Sequence, residues 1–174
     1  IGEGGLGAVY AAQDPLLSRL IAIKTLHLDL PIDEREQFNQ LFLNEASAAG
    51  GLSHPHIVTV FDAGISPQGA YIAMELLKGK DLRQLLQGGW RPTPGQAALI
   101  VRRVADALAF AHSKGVVHRD IKPANIFMVG RTQPRVLDFG IASVAHRREV
   151  GGLGGQLGSP YYMAPEQFRG DPTA

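Results

Sequence analysis

His118-Arg119-Asp120-Ile121-Lys122-Pro123-Ala124-Asn125 places a histidine, two bases, an acid and an amide within eight positions, between two apolar runs. Pro123 has no N–H and restricts the residue before it, so the stretch is not one continuous helix. The polar groups are expected on an ordered loop between two strands. Such a loop suits a site that orients a hydroxyl beside a metal-bound phosphate. From the octapeptide alone, a charged surface turn is the competing reading.

The composition narrows the setting. A hydrophobic content of 45% over 174 residues suits a globular chain with a core. A formal net charge of +1 gives no reason to expect nucleic acid or a membrane surface. Without cysteine, disulfides and thiolate zinc sites are excluded, which fits a reducing compartment. The richest apolar run, Ala97 to Val104, is interrupted by Arg102 and Arg103 and falls short of a membrane span. No targeting signal is visible. The chain starts at Ile1 and stops at Ala174, and reads as a piece of something longer.

Upstream of the octapeptide, Gly2, Gly4 and Gly7 form a G-x-G-x-x-G pattern. A dinucleotide fingerprint needs a helix after the glycines and an acid about twenty residues on. Here a strand-like run, Ala8 to Ala11, is closed by Asp14-Pro15, and the residue about twenty on is the base Lys24. Two strands around a glycine loop suit a flap whose amides lie over phosphates; a flexible hairpin is the bland alternative. Leu20 to Leu26 reads as the next strand, with Ala22 and Lys24 on one face and Ile21 and Ile23 on the other. Residues 34–50 read as a helix whose stripe of Phe38, Leu41 and Phe42 continues to Glu45. A carboxylate on that face wants a cation, and Lys24 is the natural candidate. Ser53-His54-Pro55-His56 looks like turn chemistry rather than a metal site, with no third ligand nearby.

Ile57 to Phe61 and Ala70 to Leu76 are expected strands around the turn Ser66 to Gly69, and a connector follows at Lys78-Gly79-Lys80. Asp81 begins a short helix that ends at Gly88-Gly89. A long helix is expected from Pro94 to Lys114, capped by Thr93 with Gln96 completing a capping box and Gly115 ending it. Its apolar positions are Ala97, Ile100, Val101, Val104, Leu108 and Ala111. After the octapeptide, Ile126 to Val129 and Arg135 to Asp138 read as short strands. Asn125 and Asp138 thereby offer oxygens for Mg²⁺, which takes few protein ligands besides phosphate.

These motifs resemble those of the protein kinase superfamily, in the serine/threonine branch that bacteria share with eukaryotes. The residues that carry the resemblance are the glycine loop with Val9, Ala22-Ile23-Lys24, Glu45, His118-Arg119-Asp120 with Asn125, Asp138-Phe139-Gly140, and Ala164-Pro165-Glu166, all in the family's order. Lys122, two residues after Asp120, matches the serine/threonine pattern.

The resemblance implies an α+β, bilobal fold. An antiparallel β-sheet lobe with one helix would span 1–77, and the first part of a mainly helical lobe would span 78–174. It implies transfer of the ATP γ-phosphoryl group to protein serine or threonine hydroxyls. Ile1, Gly2, Gly4 and Gly7 would cover the nucleotide, and Val9, Ala22 and Phe127 would sandwich adenine. Met74 would back the pocket, Glu75 to Leu77 would form the hinge, and Asp81 would face ribose or substrate. Lys24, held by Glu45, would orient phosphates; Asn125 and Asp138 would hold Mg²⁺, or Mn²⁺ in its stead; Lys122 would steady the γ-phosphate; Asp120 would accept the proton. The implied partners are protein substrates and a dimeric or regulatory partner, in the cytoplasm or on the cytoplasmic side of a membrane-anchored protein. The alternatives are a pseudokinase that binds nucleotide without transfer and, on the glycines alone, a nicotinamide-dependent oxidoreductase.

Two departures from the family pattern set further expectations. Arg119 would ordinarily meet a phosphorylated loop residue, yet no threonine lies between Gly140 and Pro160, where the only hydroxyls are Ser143 and Ser159. Arg147 and Arg148 add like charge, so Glu149 or a partner is expected to supply the anion. The chain also ends soon after Glu166, before the arginine that would pair with it. A buried, unpaired Glu166 and missing helices would leave residues 1–174 marginally stable and poorly active.

Overall fold

The computed structural model describes residues 1–4, 7–26, 31–139 and 160–169. Strand β1 (Gly2–Gly4) pairs antiparallel with β2 (Gly7–Asp14), and β2 with β3 (Arg19–Leu26). Asp14 closes the second turn by accepting the Leu16 and Leu17 amides, each at 3.1 Å, a local bond that favours a turn over a longer strand. Helix α1 (Ile32–Gly50) follows, then β4 (Val60–Ser66) and β5 (Gly69–Glu75). The five strands form one antiparallel sheet in the order β1-β2-β3-β5-β4.

Helix α1 lies against β4 and β5. Phe38 and Phe42 are buried with Leu26, Ile72 and Met74 in one cluster, as the i, i+4 stripe requires. Ala22 belongs to the same cluster and is itself buried.

A second cluster forms around α3 (Pro94–Ser113) and a small antiparallel sheet in the order β6-β7-β8: β6 (Lys80–Asp81), β7 (Ile126–Met128) and β8 (Pro134–Val136). Between β6 and α3 sits the short helix α2 (Leu82–Gln87), capped by Asp81, whose carboxylate accepts the Gln84 amide at 2.8 Å. Thr93 and Gln96 form the reciprocal capping box that starts α3, at 2.9 and 3.2 Å. Ile100, Val104, Ala107 and Ala111 are its buried line; burying the two branched side chains contributes about 1.5–3 kcal/mol each. Ala49, Leu52 and Ile57 join this cluster, although they precede the expected connector in sequence.

The structure corrects three expectations. The first strand of the β4–β5 hairpin begins at Val60 rather than Ile57. Val58 donates its amide to the Val136 carbonyl and Val136 donates to His56, so 56–58 is tied to β8 instead of β5. Val101 is exposed, because it lies about 100° around the helix from Ile100. His118 to Asn125 links α3 to β7, not strand to strand, and ends in a 3₁₀ turn at Pro123–Asn125.

Candidate active site

The octapeptide is built around a buried ring. His118 is 1% exposed, its Nε2 lies 2.7 Å from the Leu137 carbonyl, and the Asp120 amide donates to its Nδ1 at 3.2 Å. An amide can only donate, so Nδ1 accepts and Nε2–H donates, which fixes a neutral tautomer. Burial lowers the His118 pKa below its ordinary value, consistent with that neutral ring. Phe139 packs edge-on at 4.7 Å between centroids.

Asn125 completes the loop from the other end. Its Nδ2 donates to the Asp120 carbonyl at 2.8 Å and to Asp120 Oδ2 at 2.9 Å. Lys122 Nζ reaches the same Oδ2 at 2.7 Å. One carboxylate oxygen is therefore held by an amide and an ammonium, which fixes where the other points. The Leu137 amide donates to the Asn125 carbonyl at 2.9 Å, so the loops before β7 and after β8 are stitched at two points.

Asp138 follows β8, and its Oδ2 is 2.7 Å from Lys24 Nζ on β3, joining residues 114 apart in sequence. Asp138 has φ +60° and Arg119 φ +65°, both non-glycine residues in the left-handed region. Each costs on the order of 1–3 kcal/mol, and such conformations persist only where the surroundings enforce them. Gln167, in the short helix α4 (Pro165–Phe168), helps do so. Its Nε2 donates to the Arg119 carbonyl at 2.9 Å, while its Oε1 accepts the Ala164 amide at 3.0 Å.

The expected Lys24–Glu45 ion pair is not formed. Lys24 is committed to Asp138, and Glu45 lies 3.8 Å from Arg119 Nη1. The register of α1 does aim Glu45 at a cation, but the Arg119 guanidinium reaches it in this arrangement.

A profile of the protein kinase domain matches residues 1–173. The chain belongs to the protein kinase family. It is 42% identical over 179 residues to serine/threonine-protein kinase pkn3 of Myxococcus xanthus, covering 98% of this chain and 32% of that protein. It is 38% identical over 170 residues to serine/threonine-protein kinase PrkC of Bacillus subtilis, covering 98% and 26%. The fold superposes on a point-mutant form of the PknI kinase domain of Mycobacterium tuberculosis with a TM-score of 0.76 and 31% identity, covering 98% of this chain and 62% of that one. The chain thus spans a third or less of these curated relatives and under two thirds of the solved kinase domain.

Within this kinase fold, the remaining expected positions fall as follows. Val9 and Leu77 pack on the cluster that contains Ala22 and Met74. Phe127 sits apart on β7, opposite Asp81 in register and against Gly79. Ile1 is exposed, Gly2 and Gly4 lie on β1, and Gly7 opens β2 at φ +150° with its α-carbon against the Thr25 carbonyl, a close approach a β-carbon would block. The Glu75 side chain turns to the Thr59 amide at 2.8 Å and to Arg135 at 3.2 Å.

Asn125 Oδ1 and the Asp138 carboxylate are hard oxygen donors on neighbouring loops, a set that fits Mg²⁺ sharing phosphate oxygens. The described residues hold no group of three or more His, Cys, Asp or Glu side chains placed to bind a metal. His54 Nδ1 accepts the His56 amide at 3.1 Å, and the His56 ring reaches the Pro134 carbonyl at 3.0 Å.

Glu166 is exposed, so the expected burial cost does not arise in this chain. Gly140, Ser143, Arg147, Arg148, Glu149, the glycine-rich 151–158 and Ser159 lie outside the described residues. The scaffold roles of His118 and Gln167 were not read from the sequence. For Gln167, its place three residues after Ala164, where a side chain can reach back to a helix-start amide, was an available signal.

Proposed function

We propose that this chain is the ATP-binding and catalytic portion of a serine/threonine protein kinase, active in phosphoryl transfer. The observation that carries the reading is the Asp120 carboxylate, with one oxygen pinned by Asn125 and Lys122, beside the Lys24–Asp138 pair. We read the two core clusters as two lobes that meet at 78–80, with the nucleotide between them. The flap of β1 and β2 covers its phosphates, and Val9, Ala22, Met74 and Phe127 line the adenine site. The Glu75 carbonyl and Leu77 amide form the hinge, and Asp81 faces ribose.

Lys24 orients the α- and β-phosphates. Asn125 and Asp138 would hold Mg²⁺, which would supply positive charge to offset the charge that develops on the phosphates. Asp120 orients the acceptor hydroxyl and takes its proton. Lys122, already next to Asp120, follows the γ-phosphoryl group. Positioning and electrostatics carry most of the acceleration, because the transition state is loose. Full activity requires Glu45 to exchange Arg119 for Lys24, leaving Asp138 to the metal. The acceptors are protein serines and threonines, met on the cytoplasmic side.

The test uses the full-length protein with γ-labelled ATP and a generic protein substrate. Label on serine or threonine supports the reading. Nucleotide binding without transfer favours a pseudokinase, and failure to bind Mg²⁺-ATP overturns both.

A further inference from the structure

A cavity of about 350 Å³ opens beside the catalytic loop, lined by Arg83, Leu86 and Gln87 of α2, Lys122 and Ala124 of the loop, and Tyr162. Among the described residues that line it, two are cations and none is an acid. The two cations differ in availability. Lys122 is engaged inward, 2.7 Å from Asp120. Arg83 has a side chain 58% exposed, and its described ion contact is a 3.9 Å approach of Nε to Asp81 Oδ1. That oxygen already accepts the Gln84 amide at 2.8 Å. A contact so long and so exposed contributes little, and the planar guanidinium keeps donors suited to a carboxylate fork.

Lys122 joins the cavity to the reacting position, since the same side chain lines the wall and holds Asp120. The cavity wall is thus one side chain away from the carboxylate read as orienting the acceptor hydroxyl. Leu86 and Tyr162 give the cavity apolar surface, and Ala124 adds no charge of its own.

We propose that the cavity receives the acceptor protein beside its phosphorylated hydroxyl and selects an aspartate or glutamate there, with Arg83 as the specificity-determining residue. This rests on the reading of Asp120 as the group that orients the acceptor. A lysine or arginine at the same place would meet the two cations Arg83 and Lys122, so the cavity disfavours it as well as attracting its opposite.

The test is peptide phosphorylation by the full-length protein at saturating Mg²⁺-ATP. Serine and threonine peptides carry glutamate, glutamine or lysine at each flanking position in turn. At one position kcat/KM should fall in the order glutamate, glutamine, lysine, with a span on the order of tenfold that narrows as salt is raised. Arg83→Gln should flatten that order and Arg83→Glu should invert it, both variants being checked for native-like thermal unfolding. An unchanged order in Arg83→Glu, or a wild-type preference for lysine, overturns the proposal while leaving the kinase reading intact. Binding of Mg²⁺-ATP with no transfer to any peptide overturns both.

Discussion

Replacing His118 by phenylalanine measures how much of the site's order comes from one buried ring. Phenylalanine retains a ring against Phe139, which stands 4.7 Å away between centroids. It removes the donor to the Leu137 carbonyl at 2.7 Å and the acceptor of the Asp120 amide at 3.2 Å. Each polar group left without a partner costs about 1–3 kcal/mol. The expected destabilisation is therefore about 2–6 kcal/mol, a large share of the roughly 5–15 kcal/mol that holds a typical domain together. Urea unfolding of the full-length protein, monitored by a probe in this domain, gives the value; a loss under about 1 kcal/mol would refute the assigned role.

A pH series adds an independent check on the same ring. Burial holds the His118 pKa below its ordinary value of 6.5. Above that pH the ring is neutral both folded and unfolded, and its contribution is fully present. As pH falls below 6.5 the unfolded chain takes up the proton first, so stability is lost until pH has passed through the folded-state pKa. The loss reaches at most about 1.4 kcal/mol per pH unit. Phenylalanine has no such dependence. The stability gap between wild type and His118→Phe should therefore shrink on acidification from neutral pH. A gap that stays constant contradicts a neutral, buried ring.

Three further substitutions probe separate parts of the account. Glu45→Gln should lower kcat/KM for ATP about ten- to a hundredfold if Glu45 must hold Lys24 during turnover; unchanged or raised activity would mean that Glu45 does not serve Lys24 in turnover. Gly79→Ala should destabilise the β6–β7 pairing by about 1–3 kcal/mol or more in denaturant titration, because Gly79 has φ +154° and an added methyl would run into the Met128 carbonyl. Thr93→Ala should cost about 1 kcal/mol through the lost capping box, and a zero shift in the unfolding midpoint would show that the cap is not limiting.

Much of the fold was legible because local rules fixed it. The Thr93–Gln96 box, the Phe38–Phe42 stripe and the Asp81 cap each depend on residues a few positions apart, and the structure contains all three. The family was legible because its chemical residues recur in a fixed order. What the sequence did not reveal is which charge meets which. Lys24, Glu45, Arg119 and Asp138 can pair in more than one way, and the choice turns on helix rotation and loop geometry at the scale of an ångström. The start of β4 differs from the sequence pattern for a related reason: Ile57 and Val58 have strand-like side chains, but the hydrogen bonds at 56–58 go to β8. Val101 is apolar and periodic, yet exposed; the pattern identifies an apolar position, not what covers it. The Arg83 cavity is not legible in the sequence because its walls, at 83–87, 122–124 and 162, are far apart along the chain and each is ordinary alone.

The most direct measurement of the central claim is single-turnover phosphoryl transfer by the full-length protein and its Asp120→Asn variant at saturating Mg²⁺-ATP. Asparagine keeps the size of the side chain and removes its charge and basicity. Nucleotide affinity should change little, while the transfer rate should fall by on the order of a hundredfold or more. An Asp120→Asn protein that transfers phosphate at the wild-type rate would contradict the assignment of Asp120, and with it the mechanism built on this loop.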